Sequence, residues 1–288
     1  MKRYFLYIAV VILALACQNN GSSVLDEDLV TLSLDLSYRV DVESRAESED
    51  VALRYVVEAY VVGEDNCFER QISTSSSVDL SLLKGLSYDV LVWADYVSVS
   101  GDGFSDNMYY DTSEGLKKVA TTGEGRADNS AVSLADAFSG VCTTEVLESD
   151  FSFDVYLSRP LAKLEVYNSA EVTCSGMITS VYAAPYEVYN VLTGEVSVAS
   201  EDEYVTRTYS FEYSESSGGE LLYEDYFFVE ESGEGELQFL ISYTSGSDNI
   251  NALNSLMGVS PLLSEGREVV VEIRRNVITK VTGSIIND

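Results

Sequence analysis

VTLSLDLSYRVDV, residues 30–42, decides the fold class. Leu32, Leu34, Leu36, Tyr38, Val40 and Val42 alternate with mostly polar residues. Successive side chains of a strand point to opposite faces, so this two-residue period predicts a half-buried strand. The period recurs on both sides of later breaks. RAESED, 45–50, is a charged interruption, and LRYVVEAYVV, 53–62, is the next predicted strand. Its partly two-sided apolarity predicts a central place in a sheet. VDLSLL (78–83), YDVLVWADYV (88–97) and FSFDVYL (151–157) continue the series, with LKKVA and AVSLADAF as short elements between them.

SGDGFSDNMYYDTSEG, 100–115, has the glycines and acids of a long surface loop. Asp102, Asp106, Asn107 and Asp111 are candidate calcium ligands by residue type. Their spacing lacks the order of a helix-loop-helix calcium hand, which favours a solvated loop.

Arg159-Pro160 interrupts the alternation, and LAKLEVYN restarts it. Proline removes a ladder donor and is poorly placed in a central strand. The expected division is therefore 30–158 and 159–288. Strands are predicted in the second part at 161–167, 170–181, 194–199, 205–213, 221–230, 236–243, 267–274 and 277–286. Gly218-Gly219 and ESGEGE (231–236) read as turns, and NINALNSLMG (249–258) as one short helix. Strands at this spacing with glycine-rich turns indicate an all-β chain of tandem β-sandwiches, not βαβ units.

The chain opens MKRYFLYIAVVILALAC. Lys2 and Arg3 precede the uncharged run Phe5–Ala16, which has signal-peptide length and is short for a bilayer span. LALAC, 13–17, resembles the lipobox of bacterial lipoproteins. That resemblance implies removal of 1–16 and lipid on Cys17, where two or more acyl chains hold firmly and one only marginally. The competing reading is an ordinary secretory signal with a cysteine near its cut. Gln18, where an aspartate would resemble an inner-membrane retention signal, favours an outer-membrane destination. Residues 17–29 then form an acidic, flexible tether. The expected partner at this end is the bacterial outer membrane, reached through lipid on Cys17.

A formal net charge of −31 argues against nucleic acid and anionic headgroups as partners. Disorder is excluded by 46% apolar residues and 20 tyrosines. Removing the leader leaves roughly 270 residues, which predicts two domains. Cys67, Cys142 and Cys174 would remain; an odd number leaves either one disulfide or three free thiols, and no Cys-x-x-Cys spacing is present.

No enzyme signature emerges. The chain has no histidine, which excludes Ser-His-Asp and Cys-His arrangements and the common zinc sites. It has no phosphate-binding glycine loop and no dinucleotide fingerprint, so no cofactor and no metal are expected. Among 48 acidic residues no carboxylate pair stands out as a glycosidase dyad. Trp93, the single tryptophan, reads as core rather than a sugar platform. Tyrosines 109, 110, 182, 186, 189, 204, 209, 213, 223 and 226 read as half-buried sheet residues with wet hydroxyls.

Seven stretches form an ordered set: YDVLVWADYV (88–97), MYYDTSEGLKKV (108–119), DAFSG (136–140), RPLAKLEVYN (159–168), YNVLTGEV (189–196), YEDYFFV (223–229) and RRNVITKVTGSII (274–286). Together they resemble the fimbrillin-like surface lipoproteins of Bacteroidales type V pili, in a branch containing a domain of unknown function. The resemblance covers nearly the whole mature chain. It implies two tandem transthyretin-like β-sandwiches of Greek-key type, and a non-enzymatic stalk, tip, anchor or accessory role in adhesion. Fimbrial subunits or a host or bacterial surface ligand would be the partners. In stalk subunits of this kind an arginine-specific protease removes the lipid and first strand, and a neighbour's strand fills the groove.

Carried onto this chain, the removable strand is 30–42. Arg45, before Ala46, is the candidate cleavage site, while Arg39 lies in the strand and Arg54 in the next one. The candidate donor strand is the final segment, through Val277, Thr279, Val281 and Ile285. The plainer alternatives are a loop arginine and an ordinary core strand. A second functional class is a carbohydrate-binding or processing lipoprotein of a nutrient-uptake system, which needs an aromatic platform beside carboxylates in a cleft.

Overall fold

The computed structural model describes residues 29–38, 51–100, 103–104, 109–122, 132–169, 176–198, 204–211, 220–231, 234–245 and 267–283. Within them the secondary structure is all β apart from two short 3-10 turns, Leu116–Lys118 and Val132–Ala135. The first part contains β1 (Leu29–Tyr38), β2 (Val51–Val61), β3 (Cys67–Ser73), β4 (Ser77–Leu83), β5 (Tyr88–Ser100), β6 (Gly103–Phe104), β7 (Tyr110–Asp111), β8 (Val119–Thr121), β9 (Ala137–Thr143) and β10 (Phe151–Leu157). After Arg159 come β11 (Leu161–Asn168), β12 (Gly176–Ala183), β13 (Val188–Tyr189), β14 (Val196–Ser197), β15 (Tyr204–Phe211), β16 (Glu220–Phe228), β17 (Glu234–Ser245), β18 (Arg267–Arg274) and β19 (Ile278–Gly283). The short helix expected at 249–258 lies outside the described residues.

The alternation in 30–38 becomes β1, whose burial alternates with its sequence, and the expected continuation over 39–42 lies outside the described residues. Val30, Leu32, Leu34 and Leu36 are buried between two sheets. One sheet is β10-β1-β4, and the other places β2 between β3 and β5, with β6 and β9 also on β5. The central place of β2 matches its two-sided apolarity. Their shared core adds Val57, Ala59, Val90, Val92 and Phe138 to the β1 leucines. Each fully buried leucine contributes about 1.5–3 kcal/mol relative to exposure. At Gly140 on β9 a Cβ would stand 2.8 Å from Leu157 Cδ2, so glycine permits β9 to lie against β10.

The second pair of sheets is β16-β11-β19 and β15-β12-β17-β18. Its core includes Leu164, Val166, Ile178, Phe227, Phe239 and Ile273. The four large sheets thus pack as tandem β-sandwich-like layers.

A fifth, small sheet was not foreseen. Its order is β14-β13-β8-β7, so two strands come from before Arg159 and two from after it. Val119 faces Tyr189 and Ala120 faces Val188 across the β8–β13 pair. Val191 N–H donates to Leu116 O and Thr121 N–H to Glu187 O. The same hydrophobic cluster that fills the second sandwich also takes in Val56, Leu91 and Trp93.

Candidate functional site

Two places concentrate the residues singled out by sequence: the slot occupied by β1, and the joint around Arg159. β1 runs parallel to β10, with Leu32 opposite Phe151 and Tyr38 opposite Leu157. On its other side it is antiparallel to β4, with Leu29 opposite Leu83 and Asp35 opposite Ser77. It is therefore an inserted central strand, not an edge. Thr31 N–H donates to Asp150 Oδ1 at 2.8 Å, and Ser33 Oγ donates to Asp79 Oδ1 at 2.6 Å. At the far end the Tyr38 hydroxyl reaches the Tyr55 hydroxyl at 2.9 Å, and its ring meets Phe138 edge-on at 4.8 Å. Burial, then the hydrogen bond to Tyr55, holds the Tyr38 phenol far above its ordinary pKa. Without β1, the backbone groups of β4 and β10 that face it and the core leucine pockets would be left open.

Cys17, Arg39, Arg45, Ala46 and Ile285 lie outside the described residues. Arg54 is described and inaccessible: it is 2% exposed and forms a two-bond fork with Asp95, at 2.9 and 2.8 Å. At the other end of the chain β19 lies parallel to β11, on the edge of its sheet. Thr279 and Val281 are half-buried, Val281 packing against the core, while Val277 and Ile278 are exposed. β19 thus completes its own sandwich, but buries less than β1 does. On the outer face Glu165 accepts from Tyr167 Oη at 2.7 Å and pairs with Lys163 at 3.0 Å and Lys280 at 3.3 Å. Burial opposes ionisation of Glu165, but these donors outweigh it and hold the carboxyl below its ordinary value.

The joint gathers residues from all seven landmark stretches. Trp93 is fully buried, edge-on to Tyr110 at 5.2 Å and within 6.3 Å of Tyr189 and Phe228. Tyr189 stacks on Phe228 at 5.5 Å. Arg159 Nε and Nη2 each donate to Asp136 at 2.6 Å, and Nη1 donates to Asn276 Oδ1 at 2.7 Å. Arg275 Nε donates to Arg159 O at 3.2 Å, and its Nη2 reaches Tyr189 Oη at 3.3 Å. Asn276 takes a left-handed φ of 59°, a conformation asparagine tolerates, and its N–H caps Leu161 O at 2.8 Å.

A second buried carboxylate fixes the loop leading into this joint. Glu58 is 1% exposed and accepts from Tyr60 Oη at 2.6 Å, Leu116 N at 2.7 Å and Arg70 Nη1. Gly115 has a φ of +90°, and a Cβ there would meet the Tyr60 hydroxyl at 3.2 Å. This constellation is saturated with partners of its own. No sequence signal isolates Glu58 from its acidic background, and only the fold identifies it.

Chemistry elsewhere is sparse. Among the described residues no group of three or more His, Cys, Asp or Glu side chains could hold a metal ion. Asp111, one of the four candidate calcium ligands in the stretch read as a solvated loop, caps Ser113 N at 2.8 Å, and Asp102, Asp106 and Asn107 are outside the described residues. Trp93 is core, as the sequence reading favours, so it offers no sugar platform. Tyr186 is half-buried as expected, and the side chains of Tyr209 and Tyr213 lie outside those described, but six tyrosines differ from expectation: Tyr109, Tyr110, Tyr182, Tyr189, Tyr223 and Tyr226 are at most 2% exposed rather than half-buried. They fill the joint and second core because a ring in a dry interior contributes more area than one at a rim. Tyr204 is exposed. Cys67 and Cys142 are free thiols.

Residues 22–287 match the model of a family described as a family of unknown function (DUF6562). No curated protein matches the chain. Among solved structures, a candidate adhesin from Bacteroides thetaiotaomicron is 14% identical, with 90% of this chain and 93% of that one covered and a TM-score of 0.46. A fimbrial assembly protein from Parabacteroides distasonis is 13% identical, covers 88% and 90%, and has a TM-score of 0.38. The fimbrial anchor protein Mfa2 from Porphyromonas gingivalis is 12% identical, covers 74% and 78%, and has a TM-score of 0.42.

Proposed function

The chain belongs to a family of unknown function (DUF6562), and from that premise we propose that it is a non-enzymatic structural and adhesive protein of the bacterial surface, held by lipid on Cys17. The observation that carries the reading is the position of β1. The first described strand after the lipobox-like LALAC lies between β10 and β4 and fills a core slot with Val30, Leu32, Leu34 and Leu36. On this reading the lipid tether leads into a strand that closes the fold. In this reading the mature chain is two transthyretin-like domains, 30–158 and 159–288, and its partners are fimbrial subunits or a surface ligand.

Two modes follow from the same slot. In a standing anchor or accessory protein β1 stays in place, and its four buried apolar residues support that mode. In a polymerising subunit, cleavage between Arg45 and Ala46 frees β1 and a neighbour's strand enters by β-strand addition. The tail carrying Val277, Thr279, Val281 and Ile285 is the donor in that mode, and the edge position of β19 supports it. Intact-mass and terminal sequencing of protein from its native envelope separates them. Lipid on Cys17 of the full chain is the anchor result, and a species starting at Ala46 in high-mass filaments is the polymer result. A chain with neither lipid nor trimming overturns the proposal.

A further inference from the structure

We propose that this fold resists tension applied across β1 and β19, with residues 151–168 as the tension-bearing spine. The inference rests on strand direction and pairing, and does not depend on the surface reading above. β1 is parallel to β10 over seven residue pairs, Leu32–Phe151 to Tyr38–Leu157. β19 is parallel to β11 over six, Lys163–Ile278 to Asn168–Gly283. β10 and β11 are consecutive strands joined by residues 158–160. Both terminal strands of the described chain are thus fastened to one continuous segment.

The direction of pairing sets how each ladder is loaded. Force entering at the amino end of β1 leaves β10 at its carboxyl end, toward Ser158. In a parallel pair those ends lie at opposite ends of the ladder. The strands are pulled past each other, and all the pairs are strained together. Force then enters β11 at its amino end and leaves β19 at its carboxyl end, the same shear arrangement. Leu32 and Leu34, fully buried in the slot, resist sliding further. An antiparallel terminal hairpin would bring both loaded ends together and open one pair at a time.

The join between the ladders is braced. Ser139 and Ser158 exchange both backbone hydrogen bonds at 2.9 Å. The Arg159 fork ties the join to Asp136, and its third bond ties it to Asn276 at the root of β19. Arg275 returns a bond to the Arg159 carbonyl.

Single-molecule force spectroscopy tests this with the full chain tagged at both ends. Two further forms carry one tag at the amino end and the other inserted after Lys84 or after Glu148, both exposed. Leu83 lies opposite Leu29, and Glu148 shortly precedes the amino end of β10. Each of these geometries loads β1 and one neighbour from the same end, so β1 peels. The expected rupture force for end-to-end pulling is shifted above both peeling geometries, because the pairs of each parallel ladder are loaded together. An end-to-end force equal to or below the two peeling forces overturns the proposal.

Discussion

Arg159 grips Asp136 through two parallel hydrogen bonds of 2.6 Å, and with its remaining nitrogen holds Asn276. One side chain at the Arg-Pro interruption thereby ties the approach to β9, the β10–β11 join and the turn before β19. Arg159→Ala is expected to lower stability by about 2–4 kcal/mol, because it leaves Asp136 largely buried without its partner. Arg159→Lys recovers only part, since an ammonium cannot span both oxygens. Urea unfolding followed by Trp93 fluorescence measures both, and an unchanged midpoint in the alanine variant would sink the assignment.

Leu34 and Val277 give opposite results on truncation. Leu34 is fully buried in the β1 slot, and Leu34→Ala is expected to cost about 2–5 kcal/mol. Val277 is 45% exposed, and Val277→Ala is expected to stay within about 0.5 kcal/mol. Equal losses in denaturant titrations would contradict the burial difference between the two terminal segments.

Glu165 ionises more readily in the fold than in the unfolded chain, despite its burial, because Tyr167, Lys163 and Lys280 surround it. A carboxyl with a depressed folded pKa contributes stability that is fully present above its unfolded value. That contribution is lost as pH falls through the folded value. Stability should therefore drop below about pH 4.5 partly through this group, and Glu165→Gln should flatten that part of the profile. Amide exchange at 278–283 should rise with the same substitution. A Glu165→Gln profile parallel to the parent would refute the role.

Cys67 and Cys142 should differ toward an alkylating reagent. Burial, with Asp89 adding to it, pushes the Cys142 thiol up to about 12, so almost none is thiolate at pH 8. Cys67 is also raised, first by burial, but its residue is exposed on β3. Peptide mass spectrometry should find Cys67 labelled well before Cys142. Simultaneous labelling would mean that β9 opens as readily as β3.

The proposed lipid anchor and cleavage site are each tested by one substitution. Cys17→Ala should move the protein from the membrane fraction to soluble or unprocessed fractions. Retention at the membrane would remove the lipid from the proposal. Arg45→Ala should block arginine-specific trimming in a polymerising subunit, and cleavage at an unchanged position would exclude Arg45.

Local alternation was enough to find β1, β2, β4, β5, β10 and β11 close to their observed bounds, and to place Trp93 in the core. It failed at β3. CFERQIS buries neither face cleanly, so its strand character comes from pairing with β2 and not from its own pattern. Among the described residues the predicted strand at 194–199 shrinks to Val196 and Ser197, which pair with the short β13. The candidate β1 slot was readable because one strand carried its whole apolar face in a single stretch. Its neighbours β4 and β10 were found as strands, but not as its partners.

What the sequence determined by itself was therefore one-dimensional: an all-β chain, the buried face of its best strands, an interruption at Arg159-Pro160 and the absence of histidine chemistry. These follow from side-chain period and residue type, which are fixed within a few neighbouring residues. Which strands pair, and in which direction, was decided only in three dimensions. The parallel seating of β1 on β10 and β19 on β11, the sheet shared by β8 and β13, and the meeting of Arg159 with Asp136 and Asn276 all join distant positions. Backbone hydrogen bonds carry no residue identity, so such partners are selected by the packing of the whole core.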